Sequence, residues 1–328
     1  MKKRIRIGIC GYGNLGRGVE AEIVKNPDLE LVVVFTRRKP AESVQIKSNA
    51  SVAHVDSGAD WKDKVDVLIL CGGSANDLPV QGPEFAKIFN TVDSFDTHAL
   101  IPDYFKAVDK SAKSGNNISI ISIGWDPGMF SLMRLYMGSI MRTGKTYTFW
   151  GKGVSQGHSD AIRGIEGVVD AIQYTIPVDC VVEKIRKGEN PELTTREKHT
   201  RLCYVAVAEE ADKKRIEKEI KEMPNYFDEY DTTVCFVSAE ELKTNHGKLP
   251  HGGSVIHMGK TGEVNKHLIE FSLKLDSNPE FTASVLLSYA RAAYKLSAKG
   301  ECGARTIFDI PPILLSTFDT EEAIKNLL

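Results

Sequence analysis

Ile5-Arg6-Ile7-Gly8-Ile9-Cys10-Gly11-Tyr12-Gly13-Asn14-Leu15-Gly16 is the stretch that decides the fold. Its first half is short, apolar and β-prone. Its second half is a G-x-G-x-x-G pattern, and from Asn14 to Lys25 apolar residues recur at helical spacing through Leu15, Val19 and Ile23. The glycine pattern alone is a weak signal, because glycine-containing loops produce it by chance. A strand directly before it and a helix directly after it give it meaning. Gly11 permits the tight turn, Gly13 lets the backbone approach a pyrophosphate, and Gly16 lets the helix pack closely on the strand. The helix N-terminus then presents N–H groups and a partial positive charge to phosphates. Gly11, Tyr12, Gly13, Asn14, Leu15 and Gly16 are thus expected to form a dinucleotide-binding loop. The plainer alternative is an ordinary tight turn between strand and helix.

Around this loop strands and helices alternate. Leu29–Phe35, Val65–Cys71 and Ile118–Ile123 are dense in β-branched residues, as in strands covered on both faces. Such alternation predicts a parallel, doubly wound sheet of the Rossmann type. After Gly124 the character changes. Met129–Met141 has helical spacing, and then come strand candidates at Tyr147–Trp150, Leu202–Val207, Thr232–Val237, Gly253–Met258 and Val264–Leu275. Only two amphipathic helices, near 179–187 and 211–221, fall among them. This pattern predicts an α+β domain with a mostly antiparallel sheet. A last helix is expected over about Pro279–Lys299, with Asn278 as its cap, Pro279 in its first turn and Gly300 at its end. It is expected to return to the first domain. The division is therefore 1–124 plus about 276–328 for the dinucleotide-binding domain, and 125–275 for a second, substrate-binding domain.

Bulk properties agree with two domains, at about 150 residues each, in a chain of 328 residues. A net charge of -2 and an isoelectric point near 6.5 give no general attraction to nucleic acid or anionic membrane. No apolar run approaches the roughly 20 residues needed to span a bilayer. Met1-Lys2-Lys3-Arg4 looks like the basic start of a signal peptide, but Ile5–Cys10 is too short, carries Arg6 and runs into glycines, so it reads as a strand. The six cysteines are scattered without any Cys-x-x-Cys and mostly sit in apolar stretches. No metal site is expected, and the compartment expected is a reducing cytoplasm.

The second strand ends near Phe35. A site for NAD usually places Asp or Glu about 20 residues after the glycines, on the ribose 2′-OH. This chain has Thr36-Arg37-Arg38 there. A carboxylate would repel a 2′-phosphate, whereas guanidinium groups bind it through charge-assisted bonds. The cofactor expected is therefore NADP, the alternative being two arginines that merely solvate a loop. Cys71-Gly72-Gly73-Ser74 follows another sheet strand, where ligands of doubly wound sheets lie. It reads equally as a nicotinamide-side contact or as a plain surface turn.

Several segments together resemble the meso-diaminopimelate D-dehydrogenase family. They are Gly11–Arg17, Phe35–Arg38, Gly124-Trp125-Asp126-Pro127-Gly128-Met129-Phe130-Ser131, Thr148–Gly151, Ser155-Gln156-Gly157-His158-Ser159-Asp160, Pro250–Gly253 and Asn278–Ser284. They occur in the family's order along nearly the whole chain. The resemblance implies NADP-dependent oxidative deamination of meso-2,6-diaminopimelate at its D centre, a homodimer built through the second domain, and a place in lysine biosynthesis. It implies Asp96 and Asp126 around the reacting amino group. There a fixed anion would stabilise the charge that develops as hydride leaves, and could take the ammonium proton. Asp before Pro before a helix is equally an ordinary N-cap. Trp125 and Trp150 would shape the slot, with core packing as the alternative. Gln156 and Gly157, read as part of a loop, would bond the reacting end. For the distal, L-configured end the resemblance points to Thr175, Arg201, His251 and Asn278, with Arg201 as the carboxylate clamp. Apart from the resemblance, each has a structural reading as strand or turn residue or helix cap. His158 lacks a visible partner and is not expected to be a base. Two other functions stand beside this one: an NADP-dependent reductase or D-amino acid dehydrogenase of the same architecture with another substrate, and a non-catalytic NADP-sensing protein.

Overall fold

The computed structural model describes residues 4–39 and 43–328, so most of the basic start, Met1–Lys3, lies outside the described residues. By packing, the chain divides into two compact units, Met1–Leu132 with Pro279–Leu328, and Met133–Asn278.

The first unit opens with β1 (Ile5–Cys10), α1 (Asn14–Ile23), β2 (Leu29–Thr36), β3 (Ser51–His54), β4 (Val67–Leu70), α2 (Leu78–Ala86), β5 (Asn90–Asp93), α3 (Ile101–Gly115) and β6 (Ile118–Ile120). Several of these are silent in the sequence pattern. β3 and β5 are only four residues long, too short for a period to show. α2 contains Gly82 and Pro83, which read as breakers. A side chain at position 82 would lie 2.1 Å from the Tyr104 hydroxyl, so the glycine is what lets α2 approach α3. α4 (Met129–Ile140) then crosses the boundary between the units.

The second unit continues with β7 (Lys145–Trp150), β8 (Gly153–Val154), α5 (Gln156–Arg163), β9 (Val168–Pro177), α6 (Asp179–Arg186), α7 (Thr195–Lys198), β10 (His199–Val207), α8 (Lys213–Lys221), β11 (Asp231–Phe236), α9 (Ala239–His246), β12 (His251–Thr261) and β13 (Asn265–Leu275). The expected mostly antiparallel sheet is in fact two sheets: four strands in the order β11-β10-β9-β8, and three in the order β13-β12-β7. Every pairing is antiparallel except β10 with β11. α8 joins that parallel pair, as a crossover requires. β9 escapes sequence patterning because two of its inward positions are polar, Gln173 and Thr175, both buried.

The chain returns to the first unit through α10 (Asn278–Ser297), followed by β14 (Gly303–Arg305) and α11 (Thr320–Leu327). β14 completes a parallel sheet in the order β14-β6-β5-β4-β1-β2-β3. Order reverses between β1 and β4, which is the switch point where ligands of such sheets bind. One face of the sheet packs Ile7, Ile9, Val34 and Ile69 against Val19 of α1 and Leu286, Ala290 and Ala293 of α10. The other packs Val33, Phe35, Leu68 and Leu70 against Phe85 of α2 and Val108 of α3. α10 is tied down by Arg291, which is 5% exposed. Its guanidinium donates to both oxygens of Asp28, at 2.6 and 2.9 Å, and to Asn26 at 2.5 Å.

None of the six cysteines is paired, and only Cys10 and Cys203 are buried, Cys180 lying exposed on α6. Among the described residues no helix is long and apolar enough to cross a membrane, and no group of three or more His, Cys, Asp or Glu is placed to hold a metal ion.

Candidate active site

The glycine loop joins β1 to α1 at the switch point. A Cβ on Gly16 would lie 2.2 Å from the Gly11 carbonyl oxygen, so the chain itself requires that glycine. Gly13 is different: a Cβ there would meet nothing within 4 Å. The space beside it is left open, which is what a closely approaching phosphate needs. Next to the loop is a cavity of about 300 Å³ whose lining includes Gly11, Tyr12, Gly13, Thr36, Arg37, Arg38, Cys71 and Gly72. Asn14, Leu15 and Gly16 sit in the first turn of α1 beside it, and Gly73 and Ser74 also lie outside the lining. Thr36 holds the bend after β2, its hydroxyl accepting from Arg38 N at 3.1 Å. Arg37 forms an ion pair at 2.8 Å with Asp77, an acid that the sequence does not single out. Asp77 also accepts from Gly73 N at 3.0 Å. The Tyr12 hydroxyl donates to buried Glu20, whose other oxygen accepts from Lys47 N and Ser48 N at 2.9 and 2.7 Å.

Two acids stand past the carboxyl ends of β5 and β6 in the same unit. Asp96 is exposed, and its backbone N–H donates to the Ser74 hydroxyl at 3.1 Å, which joins the loop after β4 to the loop after β5. Asp126 is half-buried. Trp125 and Gly128 pair across a tight turn, with Asp126 and Pro127 at its centre. α4 begins only at Met129, and its first N–H groups go to the Gly124 and Trp125 carbonyls, at 3.0 and 2.8 Å. Trp125 is buried, edge-on to Phe130 with ring centroids 5.2 Å apart.

Asp93, the last residue of β5, escapes the sequence because nothing local marks it. It is 1% exposed and accepts from Phe95 N and Ser122 N, both at 3.0 Å, and from the Tyr104 hydroxyl at 2.8 Å. Burial pushes its pKa up to about 6, against the lowering effect of those three donors.

In the second unit the strand register assembles the other predicted residues. Arg201 on β10 pairs with Thr175 on β9, and Thr175 pairs with Gly153 on β8. A Cβ on Gly153 would lie 2.5 Å from the His251 ring, so that ring lies against the glycine. Trp150 is opposite Gly253 on β12, and Asn278 N donates to the Leu249 carbonyl at 3.0 Å, close to His251 in the chain. Asn278 stands at the start of α10. Gln156 and Gly157 are not in a loop: they open α5, whose buried Ser159 and Ile162 give it an inward face.

Arg201 is the dominant charge of this cluster. It is 6% exposed and donates to the Thr175 hydroxyl, with its guanidinium carbon 3.8 Å from the centre of the Tyr230 ring. Its Nε has no hydrogen-bond partner. Burial pulls its pKa below the usual arginine value. Three histidines surround it, all held neutral chiefly by burial: His199 with its pKa down to about 3, His158 down to about 4, and His251 lowered. His199 is a member that the sequence does not reveal. Its Nε2 accepts from Trp150 N at 2.8 Å and its ring stacks on Trp150, centroids 5.3 Å apart. His158 shares a 2.8 Å hydrogen bond with Ser155 and packs against the edges of Tyr226 and Phe227. His251 Nδ1 lies 2.8 Å from Gly252 N and 3.1 Å from the Gly252 carbonyl oxygen.

The model of the diaminopimelic acid dehydrogenase C-terminal domain matches residues 124–277. The meso-diaminopimelate D-dehydrogenase of Ureibacillus thermosphaericus is 63% identical over 325 residues, which is 99% of each chain. The crystal structure of a multiply substituted meso-diaminopimelate dehydrogenase from Clostridium tetani E88, with DAP, superposes with a TM-score of 0.95 at 54% identity, covering 99% of this chain and 100% of that one. An engineered D-amino acid dehydrogenase bound to NADP⁺ gives a TM-score of 0.89 at 41% identity over the same shares. At that identity over nearly its full length, the chain belongs to the meso-diaminopimelate D-dehydrogenase family.

Proposed function

We propose that this protein oxidatively deaminates meso-2,6-diaminopimelate at its D centre, with NADP⁺ as the oxidant, to give L-2-amino-6-oxopimelate and ammonia. The observation that carries this reading is Arg201, a buried guanidinium whose Nε lacks a partner. A buried charge left unpaired costs several kcal/mol, about what a bidentate substrate carboxylate would return. Thr175, His251 and Asn278 complete the recognition of an amino acid head group: a hydroxyl, a neutral imidazole donor and an amide. Trp125 and Trp150 would shape the slot for the aliphatic chain. Gln156 and Gly157 offer a side-chain amide and a backbone N–H at the start of α5.

Gly11, Gly13 and the first turn of α1 would hold the pyrophosphate of NADP, Arg37 and Arg38 its 2′-phosphate, and Cys71 to Ser74 the nicotinamide side. When bound, NADP⁺ supplies the hydride acceptor. Asp96 and Asp126 hold the reacting ammonium, take up its proton directly or through a water, and stabilise the positive charge that develops at the carbon–nitrogen bond. The distal head group fixes which α-carbon is presented, since the two centres differ only in handedness.

The test is absorbance at 340 nm with purified protein, NADP⁺ and meso-diaminopimelate at mildly alkaline pH, with NAD⁺ and the L,L isomer as controls. A rise with the meso isomer and NADP⁺ alone is expected. A rise with an unrelated D-amino acid but none with meso-diaminopimelate would transfer the reading to a D-amino acid dehydrogenase. Arg37→Ala with Arg38→Ala is expected to weaken NADP⁺ binding about tenfold or more while leaving NAD⁺ within about twofold. Calorimetric titration decides this, and equal losses would end the 2′-phosphate assignment. We read the protein further as a cytoplasmic homodimer that serves lysine biosynthesis. Leu135, Tyr136 and Ile140, all more than half exposed on α4, support the dimer, and a monomeric mass in solution would refute it.

A further inference from the structure

Asp93 stands outside the substrate and cofactor contacts assigned above, yet it bonds to the loops that carry two of them. One carboxylate oxygen accepts from two backbone N–H groups on different loops, Phe95 after β5 and Ser122 after β6, both at 3.0 Å. Its own carbonyl accepts from Ile123 N at 2.8 Å. Asp96 follows Phe95 directly, and Asp126 comes three residues after Ile123. The loop after β6 needs such a hold: Ser122 has φ of +57°, a left-handed conformation that a non-glycine residue adopts only when its surroundings impose it. From behind, the Tyr104 hydroxyl donates to the second carboxylate oxygen at 2.8 Å, and the Tyr104 ring stacks on Phe95 with centroids 4.2 Å apart.

We infer that Asp93 is a positioning residue for the reaction: it clamps the loops after β5 and β6 together and so fixes Asp96 and Asp126 relative to each other. The inference rests on the proposed roles of those two acids. Stability alone is a poor account of Asp93. An ionised carboxylate at 1% exposure is expensive to bury, and the cost is met by donors that two separate loops must bring to it. An apolar residue could not hold two loop N–H groups at one point.

The test uses the full-length protein and four measurements: kcat, the Michaelis constant for meso-diaminopimelate, NADP⁺ affinity by calorimetry, and thermal midpoint. Asp93→Asn keeps one oxygen for both loop N–H groups and turns its amide toward Tyr104, so kcat should stay within about threefold. Asp93→Ala should lower kcat by about 10²-fold, the scale of a misplacement near 1 Å, with a smaller change in the Michaelis constant and NADP⁺ affinity within about twofold. Asp93→Ser covers the case in which the Ala variant does not fold. Its hydroxyl can reach Phe95 N locally but is too short for Ser122 N, so turnover should fall to an intermediate level. A folded Ala or Ser variant with kcat within twofold of the parent overturns the inference, as does an Asn variant that loses as much as Ala. Asp96→Asn and Asp126→Asn run in parallel. If they lose turnover while the position-93 variants keep it, only the clamp is wrong. If neither loses turnover, the acid assignment falls and the clamp falls with it.

Discussion

Arg201→Met raises the Michaelis constant for meso-diaminopimelate by about 10²–10³-fold, with less than about a tenfold loss in kcat. Truncating one partner of a buried, hydrogen-bonded charge pair costs about 2–5 kcal/mol, and this pair would lie at the end of the substrate where no bond changes. An interaction made equally in ground and transition states appears in the Michaelis constant. Methionine suits the test, because it fills the volume against Tyr230 without a charge and removes the Thr175 contact. It also relieves the protein of an unpaired buried cation. The thermal midpoint should therefore hold or rise while affinity falls, a combination that general misfolding would not produce. Steady-state kinetics beside a melting curve decide it. An unchanged Michaelis constant would remove Arg201 from the substrate site.

Asp126→Asn has the opposite signature. Kcat falls about 10²–10³-fold, the range seen when one preorganised electrostatic contact to a developing charge is removed. Asparagine keeps the shape and a hydrogen-bonding oxygen but loses the negative charge and the capacity to take a proton. NADP⁺ affinity, measured by calorimetry, should stay within about twofold. Asp126 is half-buried in its turn whereas Asp96 is exposed, and a carboxylate screened less by water acts more strongly on a nearby charge. Asp126→Asn should therefore cost more than Asp96→Asn. The reverse order would make Asp96 the principal acid, and loss of NADP⁺ binding in the Asp126 variant would make it a cofactor residue instead.

Legibility in the sequence followed the range over which each feature is determined. The glycine loop needs only a strand, a tight turn and a helix in direct succession, and every requirement sits within Ile5–Gly16. The same holds for the sense of the first sheet, which follows from strands alternating with helices. Local rules also misled. Asp126-Pro127 has the composition of a helix start, but α4 begins only at Met129, after a turn in which Trp125 pairs with Gly128. Gln156-Gly157 reads as a loop, but a buried face through Ser159 and Ile162 makes it a helix. β9 reads as nothing in particular, because Gln173 and Thr175 put polar atoms where apolar ones mark a strand.

The amino-acid sequence alone was enough for the glycine-rich turn between β1 and α1, the doubly wound class and, through segments spread along the chain, the family. Only the tertiary structure decided which long-range partners meet. Thr175 faces Arg201 because β9 and β10 pair in that register. His199 joins the cluster because Trp150 stacks on it. Asp93 reaches Ser122, 29 residues further on, because β5 and β6 lie side by side in the sheet. Each of these depends on the pairing of distant strands and on burial, which strips water from a charge and leaves its hydrogen bonds to be met by whatever the fold brings near.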